Sequence, residues 1–349
     1  MSNSIINLTN PSIPLGSTIL VTGVNGLIGS HIADQVLAAG YQVRGTVRNQ
    51  SKSAWVEALF TTKYGDGRFK LFEVPDLALK GVWNSPIKGV SGVVSVAGLA
   101  NLMVQDVEGA VKDDLDGFFN LLDAAKAETT VKAFVFTSSS WAVWTPKANT
   151  PMSVTESTYN EEAIGVANDT KLEPAQKGIA PFMATKVKVE QGCWGWVARE
   201  KPSFTFNSVL LSTVLGPILS SKDQSASTAG MVKWLLTKEH LDVMEHIAPQ
   251  WFIDARDAGR LYVAILTNEN VDRERVLGCG GRFSFPKVLE ILKEAYPERK
   301  GEFADLPDAG WDQTELPSDK SLALLNKVGQ SEWTTLEQSA KDNFESFAI

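Results

Sequence analysis

Short apolar runs alternate with longer segments of helical periodicity through the first 211 residues of the chain. The apolar runs lie near residues 18–22, 41–48, 69–74, 91–97, 132–138 and 204–211. Helical patterns separate them near residues 28–40, 52–60, 78–88, 108–127 and 182–200. Strands spaced by helices of about ten or more residues indicate βαβ units, in which helices cover both faces of a parallel sheet. The sequence therefore predicts an α/β fold with a doubly wound parallel sheet.

The pattern changes after the fifth apolar run. Residues 145–180 are rich in Thr, Asn, Glu, Pro and Lys with little periodicity, so we predict a long excursion over the surface. Long loops inside compact domains are more often functional than accidental. Beyond about residue 213 the pattern is mostly helical, near residues 227–238, 256–267, 284–295 and 333–347. We expect this part to form a second, smaller and mainly helical lobe.

Composition limits the chemistry more than it limits the fold. The 349 residues include three His, two Cys and five Tyr. Cys193 and Cys279 lie 86 positions apart, and the histidines form no His-x-x-x-His pair. These spacings disfavour a metal site, a disulfide framework and a Cys-x-x-Cys redox centre. A net charge of −8 argues against a nucleic-acid partner.

Targeting and membrane signals are not visible in the sequence. Residues 1–14 lack a basic segment followed by a long apolar run, and no stretch approaches the roughly 18 apolar residues of a membrane span. We therefore expect a soluble, cytoplasmic protein without a membrane partner, either a monomer or a homodimer.

A glycine-rich turn joins the first predicted strand to the first predicted helix. Residues 23–29 read Gly-Val-Asn-Gly-Leu-Ile-Gly. Glycines suit this place because the turn is tight and a pyrophosphate must approach bare backbone N–H groups at the positive end of a helix. The arrangement is typical of Rossmann-type dinucleotide-binding folds, although a tight turn without a ligand is the alternative. The candidate cofactor contacts at this turn are Gly23, Asn25, Gly26, Leu27, Ile28 and Gly29.

The end of the second strand favours NADP(H) over NAD(H). An acidic residue there would bind the ribose 2′-hydroxyl, whereas a cation accommodates a 2′-phosphate. Residues 41–56 contain no Asp or Glu, but they include Arg48 and Lys52, the candidate phosphate partners. A solvated basic loop is the alternative. Further candidate cofactor contacts follow the third and fourth strands, at Asp76, Leu77, Ala97 and Gly98.

Several motifs together resemble the extended short-chain dehydrogenases/reductases. They are Val-Thr-Gly-x-x-Gly-x-x-Gly at 21–29, Val-Arg-Gly-Thr-Val-Arg at 43–48, Phe-Thr-Ser-Ser at 136–139, the insertion before Phe182, and Trp-Phe-Ile-Asp-Ala-Arg-Asp at 251–257. Within that family the chain is similar to fungal NADPH-dependent aldehyde and carbonyl reductases, which are relatives of plant dihydroflavonol reductase. The resemblance spans Thr18 to about Phe347.

The resemblance implies roles for residues at the carboxyl ends of the strands. Ser139 would bind the substrate carbonyl oxygen, where negative charge develops during hydride transfer. Lys186 would hold the nicotinamide ribose and lower the pKa of a tyrosine four residues before it, which acts as general acid. That position holds Phe182 here. The remaining cofactor contacts implied are Thr137 and the pair Leu211 and Ser212, which stand where relatives usually have Pro-Asn.

Phe182 leaves three interpretations open, because a phenyl ring cannot donate a proton. The chain is an NADPH-dependent aldehyde or ketone reductase inactivated by a Tyr-to-Phe change. Alternatively, it is a natural, redox-silent isomerase or cyclase of secondary metabolism that uses the same pocket. The third interpretation is a catalytically inactive protein that senses a ligand or cofactor.

Four tryptophans are the candidate substrate contacts: Trp141, Trp144, Trp234 and Trp251. Aromatic walls suit an apolar carbonyl-bearing or polycyclic small molecule, and packing in the core is the alternative. We expect residues 1–212 to form the NADP(H)-binding domain. Residues 213–349 are expected to form mainly the substrate-binding lobe, with part of that segment free to return to the sheet.

Overall fold

The computed structural model describes residue 6, residues 8–98 and residues 101–347. The strands are β1 Thr18–Thr22, β2 Gln42–Val47, β3 Phe69–Glu73, β4 Gly92–Ser95, β5 Ala133–Ser139, β6 Met152–Ser153, β7 Thr205–Leu211, β8 Thr213–Leu215, β9 Gln250–Asp254, β10 Arg275–Gly278, β11 Gly281–Phe283 and β12 Thr314–Glu315. The helices are α1 Leu27–Ala38, α2 Ala54–Tyr64, α3 Val107–Ala127, α4 Glu161–Asn168, α5 Pro174–Lys177, α6 Ala180–Glu200, α7 Ser227–Met231, α8 Trp234–Thr237, α9 Leu241–Glu245, α10 Ala255–Leu266, α11 Phe285–Ala295, α12 Asp319–Asn326 and α13 Leu336–Glu345. Short 3₁₀ turns occupy Ser51–Ser53, Ser140–Ala142 and Pro297–Arg299.

Seven parallel strands form the central sheet in the order β3-β2-β1-β4-β5-β7-β10. Connections from β1 run towards β3 on one side, and those from β4 run towards β10 on the other. The strand order therefore reverses between β1 and β4, and such a switch point is where ligands bind in open α/β sheets. The predicted doubly wound parallel sheet is confirmed.

Helices cover both faces of this sheet. Val21, Val135 and Val209 point to one face, where they join a buried cluster with α1 and α10. Phe134 and Phe206 point to the opposite face, where they pack with side chains of α3 and α6. Burying one such side chain contributes about 1.5–3 kcal/mol, so these two apolar layers hold the strand ends in fixed places.

Two local predictions differ from the structure. Residues 78–88 form successive turns instead of the predicted helix. Gly81 has a φ of +78°, and Pro86 has no N–H to donate, so both residues disfavour a continuous helix. The excursion at 145–180 is more regular than predicted, since it contains β6, α4 and α5.

The C-terminal part of the chain both returns to the central sheet and builds structure of its own. β10 pairs with β7 at the edge of the seven-stranded sheet. A separate three-stranded sheet has the order β11-β9-β8, and α11 and α13 enclose a third apolar cluster. β12 pairs with β6, which ties residues 314–315 to the excursion.

Candidate active site at the carboxyl edge of the sheet

The carboxyl ends of the central strands bring most of the predicted site residues to one edge. The glycine-rich turn follows β1, and Ala97 and Gly98 follow β4. Ser139 ends β5, where it pairs in register with Leu211 at the end of β7. Parallel strands present their carboxyl ends on the same side, so these groups share one crevice.

Backbone geometry makes two glycines of the turn necessary. Gly23 has a φ of +68°, a left-handed conformation that disfavours other residues. A Cβ on Gly29 would lie 2.3 Å from the carbonyl oxygen of Gly23, so α1 approaches the turn closely only because this side chain is absent. Gly26 caps α1 without a side-chain hydrogen bond, and the first turn of α1 carries no acidic residue. A bare, uncapped helix N-terminus of this kind fits the pyrophosphate of a dinucleotide.

A segment from the C-terminal part of the chain contacts this turn. Gln224 Nε2 donates to the carbonyl of Gly26 at 3.2 Å and to Ser30 Oγ at 2.7 Å. Ser225 forms a parallel bridge with Gly26. We did not predict this contact from the sequence, because no local motif marks residues 224–225 and their partners are almost 200 positions away.

The predicted 2′-phosphate partners lie beyond the end of β2. Arg48 and Lys52 are both exposed, and Lys52 is part of the turn that precedes α2. A carboxylate from β3 also reaches this loop, because Glu73 Oε2 accepts from the backbone N–H of Gln50 at 2.8 Å. The third cation of this stretch, Arg44, instead donates to the backbone carbonyl of Pro86. Two cations and one carboxylate therefore surround the place predicted for the phosphate.

The residues predicted near the adenine and ribose occupy the loops after β3 and β4. Asp76 Oδ1 accepts from the N–H of Ala78 at 2.9 Å, which orders the turn that begins here. Leu77 packs in the apolar layer between the sheet and α3. Ala97 donates its N–H to Thr22 Oγ1 at 2.9 Å, which holds the backbone after β4 against β1, and Gly98 is exposed.

Ser139 and Lys186 lie on the two elements that the resemblance predicts. Ser139 Oγ accepts from the N–H of Trp141 at 3.2 Å, which leaves the hydroxyl proton able to donate elsewhere. Phe182 and Lys186 lie one turn apart on α6, with the Lys186 Nζ atom 5.0 Å from the centroid of the Phe182 ring. Burial lowers the pKa of the Lys186 ammonium, and the nearby Asp114 partly opposes that shift.

No tyrosine replaces the missing phenol at position 182. All five tyrosines fall in the part of the chain that the structure describes. The hydroxyl of Tyr262 donates to Thr137 Oγ1 at 2.7 Å, two residues before Ser139 on β5. Burial raises the pKa of Tyr262 strongly, which makes it a poor acid. The other four tyrosines have contacts elsewhere: Tyr41 with Ile13, Tyr64 with Asp34, Tyr159 with Arg275, and Tyr296 with Glu345.

Leu211 and Ser212, which stand where relatives usually have Pro-Asn, both contact Gly278 at the end of β10. The N–H and the hydroxyl of Ser212 both donate to the carbonyl of Gly278, at 3.0 and 2.8 Å. Leu211 is buried beside Gly278, which has no side chain to occupy that space. The polar group of Ser212 is therefore used to join β7 and β10.

The structure brings one of the four tryptophans to the catalytic positions. The Trp141 ring meets the Phe182 ring edge-to-face, with centroids 6.0 Å apart, and its Nε1 donates to Gln250 Oε1 at 3.2 Å. Phe182 is only 7% exposed and Trp141 is partly buried, so the two rings form a packed aromatic pair next to Ser139.

The other three tryptophans are placed elsewhere. Trp144 and Trp251 are buried together in an apolar cluster with Val143, Val154, Leu210, Leu277 and Cys279. Trp251 Nε1 donates to the carbonyl of Thr314 at 3.1 Å. Trp234 packs in the apolar cluster around α11 and α13, with its ring 4.6 Å from that of His240. These contacts are those of core packing, the alternative weighed for these residues.

A buried carboxylate, Glu190, is the main site feature that the sequence interpretation missed. It is fully buried on α6, four residues after Lys186. The available signal was an acidic residue in an apolar stretch at the i+4 position from a lysine, which shares one helix face with it.

Metal-binding clusters and membrane-spanning helices are absent from the described residues, which are residue 6, residues 8–98 and residues 101–347. In those ranges no group of three His, Cys, Asp or Glu side chains could hold a metal ion. None of the helices described there is both long and apolar enough to cross a bilayer.

Comparison with known proteins places the chain in a family. Residues 19–280 match the profile of the NAD dependent epimerase/dehydratase family. Aldehyde reductase 2 of Sporidiobolus salmonicolor is 34% identical over 96% of this chain and 97% of its own length. Ketoreductase adrE of Penicillium rubens is 35% identical over 95% of this chain and 96% of its own length.

Solved structures show the same fold. Gre2 of Candida albicans, solved in complex with NADPH, superposes with a TM-score of 0.77 at 23% identity, covering 96% of this chain and 99% of that one. The chain belongs to the NAD dependent epimerase/dehydratase family of extended short-chain dehydrogenases/reductases, as a relative of fungal aldehyde reductases and ketoreductases.

Proposed function

We propose that this chain binds NADP(H) and reduces the carbonyl group of an apolar aldehyde or ketone, without a phenolic acid at position 182. The observation that carries this proposal is the placement of Ser139 and Lys186 at the same sheet edge as the glycine-rich turn. The names of the aldehyde reductase and ketoreductase relatives support the same reaction. In this proposal residues 1–212 hold the cofactor and residues 213–349 mainly enclose the substrate.

Ser139 provides the hydrogen bond to the reacting oxygen. A bound NADPH supplies the hydride that reduces the carbonyl carbon. Negative charge then develops on the carbonyl oxygen, and a hydroxyl fixed by the Trp141 N–H can donate a hydrogen bond to it. The edge-to-face pair of Trp141 and Phe182 favours an apolar substituent beside that carbonyl.

Lys186 supplies positive charge in a site of low polarity. Its burial strengthens electrostatic interactions with an anionic product and lowers the free energy needed for deprotonation. Phe182 contributes no proton, so the alkoxide formed by hydride transfer takes its proton from water. Loss of a general acid typically costs about 10²–10⁴-fold in rate. Reduction by the unmodified chain is therefore expected to be slow.

Arg48 and Lys52 support the choice of NADP(H). Both are exposed at the end of β2, and residues 41–56 contain no carboxylate to bind a ribose 2′-hydroxyl. Glu73 lies on the neighbouring strand and is engaged by Gln50.

Redox-silent isomerisation or cyclisation of an apolar small molecule, as in secondary metabolism, is the second candidate function. The aromatic pair of Trp141 and Phe182 favours it, because this pair offers an apolar surface and no proton at position 182. Under this alternative the cofactor completes the pocket without being consumed.

Transfer of deuterium from 4-deuterated NADPH distinguishes these functions. A panel of apolar carbonyls, such as 4-phenyl-2-butanone and cinnamaldehyde, is incubated with the unmodified chain and with Phe182→Tyr, and the alcohols are analysed for label and chirality. Stereospecific labelling supports reduction. Absence of NADPH oxidation with every carbonyl in both proteins would overturn it, and turnover that accepts NADP⁺ in place of NADPH would establish the second candidate.

A further inference from the structure

A buried ion pair joins α6 to three strands beside the catalytic positions. Glu190 Oε1 accepts from Ser208 Oγ at 2.7 Å and from Arg275 Nε at 2.9 Å. Glu190 Oε2 accepts from Ser138 Oγ at 3.0 Å and from Arg275 Nη2 at 2.9 Å. The carboxylate thus receives four hydrogen bonds from β5, β7 and β10 and a fifth, at 3.4 Å, from Trp194 Nε1 on α6 itself. Its contact with Arg275 is bidentate.

Arg275 extends this connection to the surface excursion. Its Nη1 donates to the backbone carbonyls of Glu156 and Thr158, the latter at 2.7 Å. Its guanidinium carbon lies 3.9 Å from the centroid of the Tyr159 ring, a stacked cation–π contact. Both the charge and the planar shape of Arg275 are therefore used, which a lysine would not reproduce.

The excursion, held by Arg275, in turn contacts residues 139–142, which we call the catalytic loop because they include Ser139 and Trp141. Asn160, the residue after Tyr159, donates from Nδ2 to the carbonyl of Trp141 at 2.9 Å. Its backbone N–H donates to the carbonyl of Ala142 at 3.0 Å. Trp141 contacts both Ser139 and Phe182. Glu190 is therefore connected to the catalytic loop through Arg275 and the segment 158–160.

The hydrogen bonds of Glu190 fix the position of α6 on the sheet, which apolar packing alone does not do. The apolar side chains that pack α6 on the sheet, such as Val189 and Cys193, hold it by a non-directional force. Glu190 lies one turn after Lys186, so its hydrogen bonds fix how far α6 rotates and slides relative to β5. Fold stability alone does not explain why a buried ion pair is present here. Apolar residues of similar volume often replace such a pair without lowering the free energy of unfolding.

We propose that Glu190 and Arg275 are a positioning pair, which sets the place of Lys186 relative to Ser139 and holds Trp141 in the wall of the substrate pocket. This inference rests on the proposed function, since the residues that it positions are those assigned to carbonyl reduction. Neither member of the pair touches the reacting atoms.

The key variant removes both charges at once. Glu190→Leu combined with Arg275→Met keeps apolar volume and leaves no unpaired buried charge, so the fold is retained. Glu200→Gln is the matched control, because Glu200 ends the same helix and pairs with Lys126 away from the site. The single change Glu190→Gln is a second variant that alters fewer contacts.

Two measurements on the full-length protein test the pair. The first is kcat and KM for NADPH-dependent reduction of 4-phenyl-2-butanone in the Phe182→Tyr background, well below each variant's Tm. We expect kcat to fall about 10- to 100-fold in the double variant, the order of loss that follows a misplacement of about 1 Å. The Glu200→Gln control should keep kcat within about twofold of the parent value, because an exposed ion pair contributes little free energy.

The second measurement does not depend on reductase activity. Competitive acetylation by acetic anhydride, read by peptide mass spectrometry, reports the accessibility and basicity of Lys186. We expect acetylation of Lys186 to rise about tenfold in the double variant, because a displaced α6 opens the buried amine to the reagent more easily, by about 1.4 kcal/mol. It should be unchanged in Glu200→Gln. If the chain reduces no carbonyl, the proposed function fails and this second measurement alone decides the inference.

A double variant that keeps kcat and Lys186 reactivity overturns the proposal, whatever its Tm. Loss of Tm with unchanged kcat would assign the pair to stability. Loss of kcat together with an exposed Lys186, at a Tm close to that of the parent, supports positioning. Glu190→Gln should show the same two changes to a smaller extent.

Discussion

The ammonium nitrogen of Lys186 lies 5.0 Å from the centroid of the Phe182 ring, one turn away on α6. A cation at this distance from an aromatic face is attracted by the ring quadrupole, by about 0.5–2 kcal/mol depending on desolvation. The contact keeps the lysine beside the position where a phenol would be needed. A hydroxyl added to this ring would enter a site whose positive charge is already in place.

Phe182→Tyr is therefore expected to raise the rate of carbonyl reduction by about 10²–10⁴-fold. The lysine should hold the pKa of the new phenol below its usual value, because a positive charge favours the phenolate. Steady-state NADPH oxidation with an apolar ketone measures the gain. Phe204→Tyr serves as a control, because Phe204 lies at the amino end of β7, the opposite end of the strand from Ser139. An equal gain there would contradict this explanation.

Gly29→Ala is expected to weaken NADPH binding by at least about tenfold and to destabilise the fold by about 1–3 kcal/mol. The added Cβ would lie 2.3 Å from a backbone oxygen that cannot move freely. Fluorescence titration and urea unfolding measure the two effects. Gly195→Ala on α6 is the control, since its Cβ would meet nothing within 4 Å and helix propensity should add about 0.5–1 kcal/mol.

Replacing Arg48 and Lys52 by Ala should raise the Kd for NADPH about tenfold, which corresponds to about 1.4 kcal/mol. The Kd for NADH should stay within about twofold, because NADH lacks the 2′-phosphate. Lys171→Ala combined with Lys300→Ala, which removes two exposed lysines away from the turn, controls for the change in net charge. Equal weakening for both nucleotides would show that these cations do not select the phosphate.

His31 should make stability depend on pH. Burial lowers its pKa below 6.5, while the bond to the Pro217 carbonyl at 2.7 Å opposes this shift. Its Nδ1 is buried and has no hydrogen-bond partner among the described residues. Because the unfolded chain binds the proton more readily, stability should be constant above about pH 6.5 and fall as the pH drops towards the lower folded-state pKa.

Urea unfolding between about pH 5 and pH 8 measures this dependence, across the ordinary titration range of histidine. His31→Gln should flatten the curve below pH 6.5. The exposed His246 gives the control His246→Gln, which should leave the curve unchanged. A curve that stays equally steep in the His31 variant would refute the assignment.

Tyr262→Phe should cost about 1 kcal/mol of stability, because Thr137 loses its hydrogen-bond donor. The rate of carbonyl reduction per folded molecule should stay within about twofold, since Tyr262 is a weak acid bound to Thr137. Thermal unfolding and NADPH oxidation test the two statements. A large loss of rate at unchanged Tm would instead make Tyr262 the replacement acid.

Local sequence signals predicted the elements that carry the cofactor site. The apolar run at 18–22 and the glycines at 23, 26 and 29 form the strand and turn that were expected, because these features act within a few residues. The helix predicted at 78–88 was wrong, since the composition of this segment suits a helix while Gly81 adopts a positive φ there. Tertiary context decides such ambiguous segments.

Long-range contacts account for most of what the sequence did not reveal. Glu190 and Arg275 are 85 positions apart, and Gln224 reaches Ser30 across 194 positions. Spacing rules describe one helix or one strand, so they contain no signal for pairs of this kind. The same limit applies to Trp144 and Trp251, whose burial depends on which segments meet at β7 and β10.

The late arrival of β10 in the chain has a consequence during synthesis. β7 ends at Leu211 and its outer neighbour β10 ends at Gly278, so the ribosome must add 67 more residues before the sheet is complete. Until then β7 presents an unpaired, apolar edge, which is a template for association with other chains. Fragments that stop before residue 275 should therefore aggregate, and the nascent chain is expected to depend on chaperones during this interval.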